Sequence, residues 1–228
     1  MNTTDKPADK VIEYVETLIL AGKLKADDRL PAERDLAQTL NVSRTAVREG
    51  IRLLETIGIV ESRQGSGNYI TGHFDQTLEQ VLTIMYALDD LRYEEIREFR
   101  YAVERQALVL AVRNADKKGR QALQSHLNGM LHAETEEEQA ECDRMLHLTL
   151  VQMSANRLVI ANYAALTRTI NRFIRDVRKQ IRDQSQADFE AFQACHRQLV
   201  DAVLTGDLEL GKDALDRHFT YIAQDIDT

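Results

Sequence analysis

The chain has 228 residues, of which 43% are hydrophobic and 29% charged, and its formal net charge is −8. That composition supports a packed core in one large or two smaller domains and excludes a disordered chain. An acidic sum argues against a nucleic-acid partner only if the charge is evenly spread, and a two-part chain can hide a basic face within it.

Breakers are scarce, with 10 Gly and 2 Pro, so the chain should be mostly helical. The opening "MNTTDKPADK" leads into no signal-type apolar run. No stretch approaches the roughly 20 apolar residues that cross a membrane, so no membrane partner is expected. Cys142 and Cys195 match neither zinc-site nor disulfide spacing, which points to a reducing, cytoplasmic setting.

In chain order, a first helix from Asp9 to about Leu20 carries Val11, Val15, Leu18 and Ile19 on one face and stops at Gly22. "PAERDLAQTL" reads as a short second helix, with Pro31 in its first turn and Leu36, Ala37 and Leu40 inward. "NV" is a tight turn. Ser43 then caps a third helix that runs to about Ile57, buries Val47, Ile51 and Leu54, and ends at Gly58. "IVESRQGSGNYI" reads as two short strands around "QGSG". This first unit spans 1–71.

Two short helices, a tight turn and a hairpin form the winged helix-turn-helix pattern. Arg44, Thr45 and Arg48 lie at the N-terminal end of the third helix, on the face opposite its apolar stripe. A recognition helix needs basic and short side chains there, because Arg offers paired donors to guanine and Thr reaches phosphate or a thymine methyl. Arg34 sits on the preceding helix, and Gly65 and Gly67, beside Arg63, let the hairpin approach a minor groove. The plainer reading pairs these arginines with Glu49 or Asp35 at the surface. "LPAERDLA", "VSRTAVREGIRLLE" and "GIVESRQGSGNYI" closely resemble the N-terminal domain of GntR-family bacterial transcription regulators, over about Val11 to Thr71. The resemblance implies binding to double-stranded operator DNA through Arg34, Arg44, Thr45, Arg48 and Gly65. Ser66 stands where many relatives carry a bulkier residue.

A linker is expected at 72–75, and from 76 to 228 every periodic segment is helical. Helices are expected at about 76–88, 93–113, 116–132, 136–153, 157–183, 187–205 and 208–225. Asp116, Asn156 and Asp207 are the expected starts, and Gly206 a stop. The fold class is therefore mainly α: a winged helix-turn-helix head and an antiparallel all-α bundle of six to seven helices.

Within the bundle, Asp143 and His147 share a helical face with Leu146, Leu150 and Val151. His196 faces with Phe192, Leu199, Val200 and Val203, and His218 with Ala214, Leu215 and Ile222. One such histidine is best read as a core residue. Three of them with a carboxylate form a donor set suited to zinc, nickel, manganese or iron rather than calcium. His73, His126 and His132 fall in the linker or on exposed faces. Arg100 lies within the inward stripe of its helix and needs an anion. It either pairs with Glu104 four residues on or clamps a carboxylate ligand. Arg168, Arg172, Arg175 and Arg178 cannot all face one way; most should meet solvent, with one reaching the interior. "ETEEEQAE" reads as the acidic first turn of a helix, and Cys142 and Cys195 as small buried residues rather than a thiol pair.

"YEEIREFRYAVERQALVLA", "DRMLHLTLVQMSANRLV" and "CHRQLVDAVLTGDLELGKDALDRH" resemble the FCD-type C-terminal domain of the FadR subfamily. The resemblance implies a divalent metal, zinc first, on Asp143, His147, His196 and His218, and a small carboxylate effector, such as a hydroxy acid or sugar acid, at Arg100. The reading is a ligand-responsive regulator, more a repressor than an activator, acting as a homodimer and not an enzyme. A regulator responding to metal alone is the alternative. A metal-dependent hydrolase is a distant third, since no His–Glu–x–x–His motif appears.

Overall fold

A computed structural model describes residues 6–71, 74–89 and 91–224. It divides into two compact units, Met1–Thr77 and Leu78–Thr228. The first holds α1 (Asp9–Leu20), α2 (Glu33–Leu40), α3 (Arg44–Thr56) and an antiparallel hairpin of β1 (Val60–Arg63) and β2 (Gly67–Ile70). Its core joins Val11 and Val15 of α1 to Leu36 of α2 and to Val47, Ile51 and Leu54 of α3. Gly50 makes this packing close, because a Cβ there would lie 2.7 Å from Val11 Cβ. Asn41, at φ +51°, turns the chain between α2 and α3. Ser43 Oγ then accepts from the Ala46 amide at 3.1 Å and caps α3.

Pro31 lies outside α2 rather than in its first turn. The extended Ala32 is the N-cap, and its carbonyl accepts the first helical bonds from Asp35 and Leu36. The hairpin pairs Val60 with Ile70 and Arg63 with Gly67, and Gly65 at φ +71° makes its tip.

The remaining helices are α4 (Phe74–Leu88), α5 (Tyr93–Asn114), α6 (Lys117–His132), α7 (Glu136–Gln152), α8 (Arg157–Thr169), α9 (Asn171–Gln184), α10 (Gln186–Thr205) and α11 (Leu208–Gln224). Caps explain most of the boundaries. Asp116 caps α6 by accepting from the Gly119 amide, and Asn156 caps α8 from Leu158 and Val159. Asp207 accepts from the Leu210 amide at the start of α11, and Gly206, at φ +81°, closes α10. The acidic run opens α7 with a reciprocal box: Thr135 accepts from the Glu138 amide, and Glu138 accepts from the Thr135 amide.

The expected single helix at 157–183 breaks at Ile170, so this part holds eight helices among the described residues. No glycine or proline marks the break. The chain leaves helical geometry at Ile170, which sits at φ −95° and ψ 12°. Ile170, 2% exposed, fills the corner. Leu108, Leu146, Leu150, Leu199, Val203 and Leu215 make the core. The expected linker at 72–75 falls partly outside the described residues, and His73 with it. His126 is half-buried and His132 exposed.

Candidate functional site

The apolar stripes of α7, α10 and α11 carry their polar members inward with them. Asp143, His147, His196 and His218 are each at most 2% exposed. The three imidazole rings lie 4.6–5.3 Å apart between centroids, and one ligating atom from each falls within 4.8 Å of the others. Asp143 closes the group, with Oδ2 3.3 Å from His196 Nε2 and Oδ1 3.6 Å from His147 Nε2.

The hydrogen bonds around this cluster leave its centre short of partners. His147 Nδ1 meets Glu104 Oε2 at 2.6 Å, and His196 Nδ1 meets the Phe192 carbonyl at 3.1 Å. Both partners are acceptors, so each Nδ1 carries the proton and each Nε2 presents a lone pair. His147 Nε2, His196 Nε2 and both nitrogens of His218 have no hydrogen-bond partner. Each orphaned buried polar atom costs about 1–3 kcal/mol. A bare imidazole nitrogen facing a carboxylate oxygen is repulsive unless a cation lies between them. The donor set of three imidazoles and one carboxylate therefore fits a divalent transition metal, with two of its imidazoles, His147 and His196, already held from behind.

Charge follows the same logic. Burial alone would raise the Asp143 carboxyl, but His196, Arg178 and His147 outweigh it and hold it well below its usual range. Burial likewise opposes ionisation of Glu104, yet the His147 Nδ1–H bonded to it and the Arg100 guanidinium bring it down to about 2. Burial pushes His218 well below its ordinary value, with His196 and His147 adding to the effect. Burial also lowers His196, against the pull of Asp143. Burial thus favours the neutral form of His196 and His218 beside an ionised Asp143, the state that a metal requires.

Arg100 makes the intrahelical pair, Nε to Glu104 Oε1 at 2.9 Å, with both side chains buried. Its Nη2 is buried without a partner, so one donor is still open to an anion. Of the four arginines between Arg168 and Arg178, Arg178 is the one that turns inward. It donates from Nη1 to Asp143 Oδ2 at 2.7 Å, from Nε to Glu136 Oε1 at 2.9 Å and from Nη2 to Gln139 Oε1 at 3.1 Å. Its helix α9 repeats apolar residues at Phe173, Ile174, Val177 and Ile181, and Arg178 falls beside that stripe. Tyr163, whose hydroxyl donates to Glu104 Oε1 at 2.6 Å, had no sequence signal beyond an aromatic in a helix. A cavity of about 10 Å³ touches Arg100, Asp143, Arg178, Phe192 and His218. That holds about one water-sized sphere and no hydroxy acid.

The head shows the opposite pattern. Arg44, Thr45, Arg48, Arg34 and Gly65 are all exposed. Arg48 pairs with Glu33 at 2.7 Å and Arg34 with its neighbour Asp35 at 3.4 Å. Such exposed pairs are worth about 0–1 kcal/mol and exchange readily for phosphate. Arg63 stacks 4.4 Å from the Tyr69 ring centre and pairs with Asp27. Cys142 is half-buried, Cys195 is buried, and burial raises both thiols, so neither is a ready thiolate.

Comparison with known proteins agrees in both parts. The description "Bacterial regulatory proteins, gntR family" matches residues 7–70, and "FCD domain" matches residues 95–221. A protein of Escherichia coli (strain K12), described as a candidate "L-lactate dehydrogenase operon regulatory protein", is 27% identical over 94% of this chain and 84% of its own. The "HTH-type transcriptional regulator LutR" of Bacillus subtilis (strain 168) is 26% identical over 90% of this chain and 94% of its own. The solved structure "Streptococcus agalactiae GntR" superposes with a TM-score of 0.56 at 22% identity, covering 95% of this chain and 99% of that one, a likeness of fold.

Proposed function

The chain belongs to the GntR family of bacterial regulators, with an FCD domain behind its DNA-binding head, and from that premise we propose that it is a metal-dependent sensor of a small carboxylate. It is a DNA-binding transcriptional regulator and not an enzyme, since the matched domains and relatives are regulators. The hydrolase alternative falls away. The observation that carries the proposal is the set of partnerless imidazole nitrogens on His147, His196 and His218 around Asp143.

These four residues would hold a divalent ion, zinc being the first to test against nickel, manganese and iron. The ion would supply a Lewis-acidic anchor for an anionic ligand. Arg100, with its open Nη2, would take the carboxylate. The name of the Escherichia coli relative ties that protein to L-lactate dehydrogenase, which makes a lactate-sized hydroxy acid the first effector to try here. The cavity of about 10 Å³ is too small for one, so admission requires a wall to move. The wall formed by α9, with Phe173, Ile174, Val177 and Arg178, is bounded by the break at Ile170. A wall whose position follows occupancy is what a sensor needs, and its effect is limited to the effector's differential affinity for the two arrangements.

In the head, Arg34, Arg44, Thr45, Arg48 and Gly65 would contact operator DNA, their exposure supporting that role. A winged head reads a half-site, so two heads on a homodimer suit an operator of two half-sites. Val81, Ile84, Met85 and Leu88 of α4, spaced as a helical stripe and 45–82% exposed, offer apolar surface for a second copy. Release of the operator on effector binding, as in a repressor, is the proposed response.

A thermal-shift screen of zinc-loaded protein against small carboxylic acids, followed by DNA-binding assays, tests the reading. A stabilising acid that also weakens operator binding supports it. Metal-dependent DNA affinity that no acid changes would instead favour sensing of metal alone.

A further inference from the structure

We propose that Glu104 is the positioning residue that makes His147 competent as a metal ligand, by fixing the imidazole tautomer whose Nε2 lone pair faces Asp143, His196 and His218. This rests on the metal-site reading above and assigns a role to a residue outside the ligand set. A neutral imidazole can carry its proton on either nitrogen, and only one arrangement leaves Nε2 able to ligate. Glu104 Oε2 lies 2.6 Å from His147 Nδ1, with both side chains fully buried. A carboxylate accepts only, so it selects Nδ1–H.

The carboxylate is itself fixed from two other directions. Its Oε1 accepts from Arg100 Nε at 2.9 Å and from the Tyr163 hydroxyl at 2.6 Å. Three helices thus converge on it: α5 supplies Glu104 and Arg100, α7 supplies His147 and α8 supplies Tyr163. With both donors committed to Oε1, the carboxylate cannot rotate away from the imidazole without orphaning one of them. The other histidines differ. His196 is oriented by a main-chain carbonyl, and His218 has no hydrogen-bond partner at either nitrogen. Among the described residues, Glu104 is the one side chain that orients a ligand imidazole from behind by a bond to its distal nitrogen. Losing such a partner typically costs 10–100-fold in metal affinity.

The test uses the full-length protein with Glu104→Gln and Tyr163→Phe. In Glu104→Gln, the amide satisfies Arg100 and Tyr163 only by turning its oxygen toward them. Its NH₂ then faces His147 Nδ1 and favours the wrong tautomer. Nitrogen NMR of the ring nitrogens in metal-free wild type should show His147 protonated at Nδ1, and Glu104→Gln should reverse this. Cobalt(II) titration should show affinity reduced by about 10–100-fold in Glu104→Gln, with a changed ligand-field spectrum. Tyr163→Phe, which keeps the Arg100 bond, should lose less and retain the wild-type tautomer. Wild-type cobalt binding with an unchanged tautomer and affinity in Glu104→Gln overturns the proposal. So does His147 protonated at Nε2 in the wild type, a result that needs no variant to fold. Wild type that binds no cobalt overturns the metal-site reading instead, and the NMR result tells the two failures apart.

Discussion

Arg48 and Arg178 carry the same guanidinium at the same distance from a carboxylate, 2.7 Å in each case, into opposite situations. Arg48 on α3 is 64% exposed beside Glu33, whereas Arg178 on α9 is 1% exposed beside Asp143. At the surface, water and salt screen the pair, so Arg48 can leave Glu33 for a phosphate or a base at little cost. In the interior, the guanidinium cannot leave Asp143 unless another anion replaces it. One arginine is suited to reading a partner that arrives, and the other to building a site that waits.

The sharpest way to break that comparison is at the proposed metal ligands. His196→Ala should lower divalent-metal affinity by more than about 100-fold, beyond the cost of a lost orienting partner, and a chelator competition assay reads it. Arg178→Met should destabilise the metal-free protein by about 3 kcal/mol, since Asp143 then stays buried without the guanidinium bonded to its Oδ2. The urea midpoint measures this, and a shift near zero would put the buried arginine on a par with a surface one. Arg48→Ala should leave that midpoint within about 0.5 kcal/mol of wild type. It should weaken operator binding by about 1–3 kcal/mol if Arg48 reads a base edge, as fluorescence anisotropy would show. Ser43→Ala should cost about 1 kcal/mol of stability through the lost α3 cap, visible in the same urea titration.

The pH dependence separates the two regions as well. In the metal-free bundle, His218 and His196 sit below their ordinary value of 6.5, so the unfolded chain binds more protons. Stability should then fall as pH drops from 6.5 through the depressed folded values. Glu104, held at about 2 against an ordinary 4.5, contributes stability that is full above 4.5 and lost as pH falls toward 2. Denaturation of metal-free protein at pH 7 and at about pH 5.5 should show the histidine effect alone, in the window set by these values.

The head was legible in the sequence almost residue by residue, because its signals are local. The Ser43 cap, the αL turn at Asn41 and the Gly65 tip each act within a few positions of themselves. Pro31 stands two residues before the first helical residue, Glu33, since a proline near a helix start is also at home before the N-cap. In the bundle, the polar members of the apolar stripes pointed to Asp143, His147, His196 and His218. Helical period alone shows which residues point inward, but not which of them meet. The bond from Glu104 to His147 spans 43 positions and that from Arg178 to Asp143 spans 35, and nothing local encodes either. The break at Ile170 is silent in the sequence for a related reason: no glycine or proline lies near it.

The most direct test of the account is the metal itself. Metal-free protein would be dialysed against an equimolar mixture of zinc, nickel and manganese, and its bound metal counted by elemental analysis beside His196→Ala. The account predicts about one divalent ion per chain in the wild type, as expected for a single four-ligand site, and almost none in the variant. Equal metal content in the two proteins, or none in either, would contradict it.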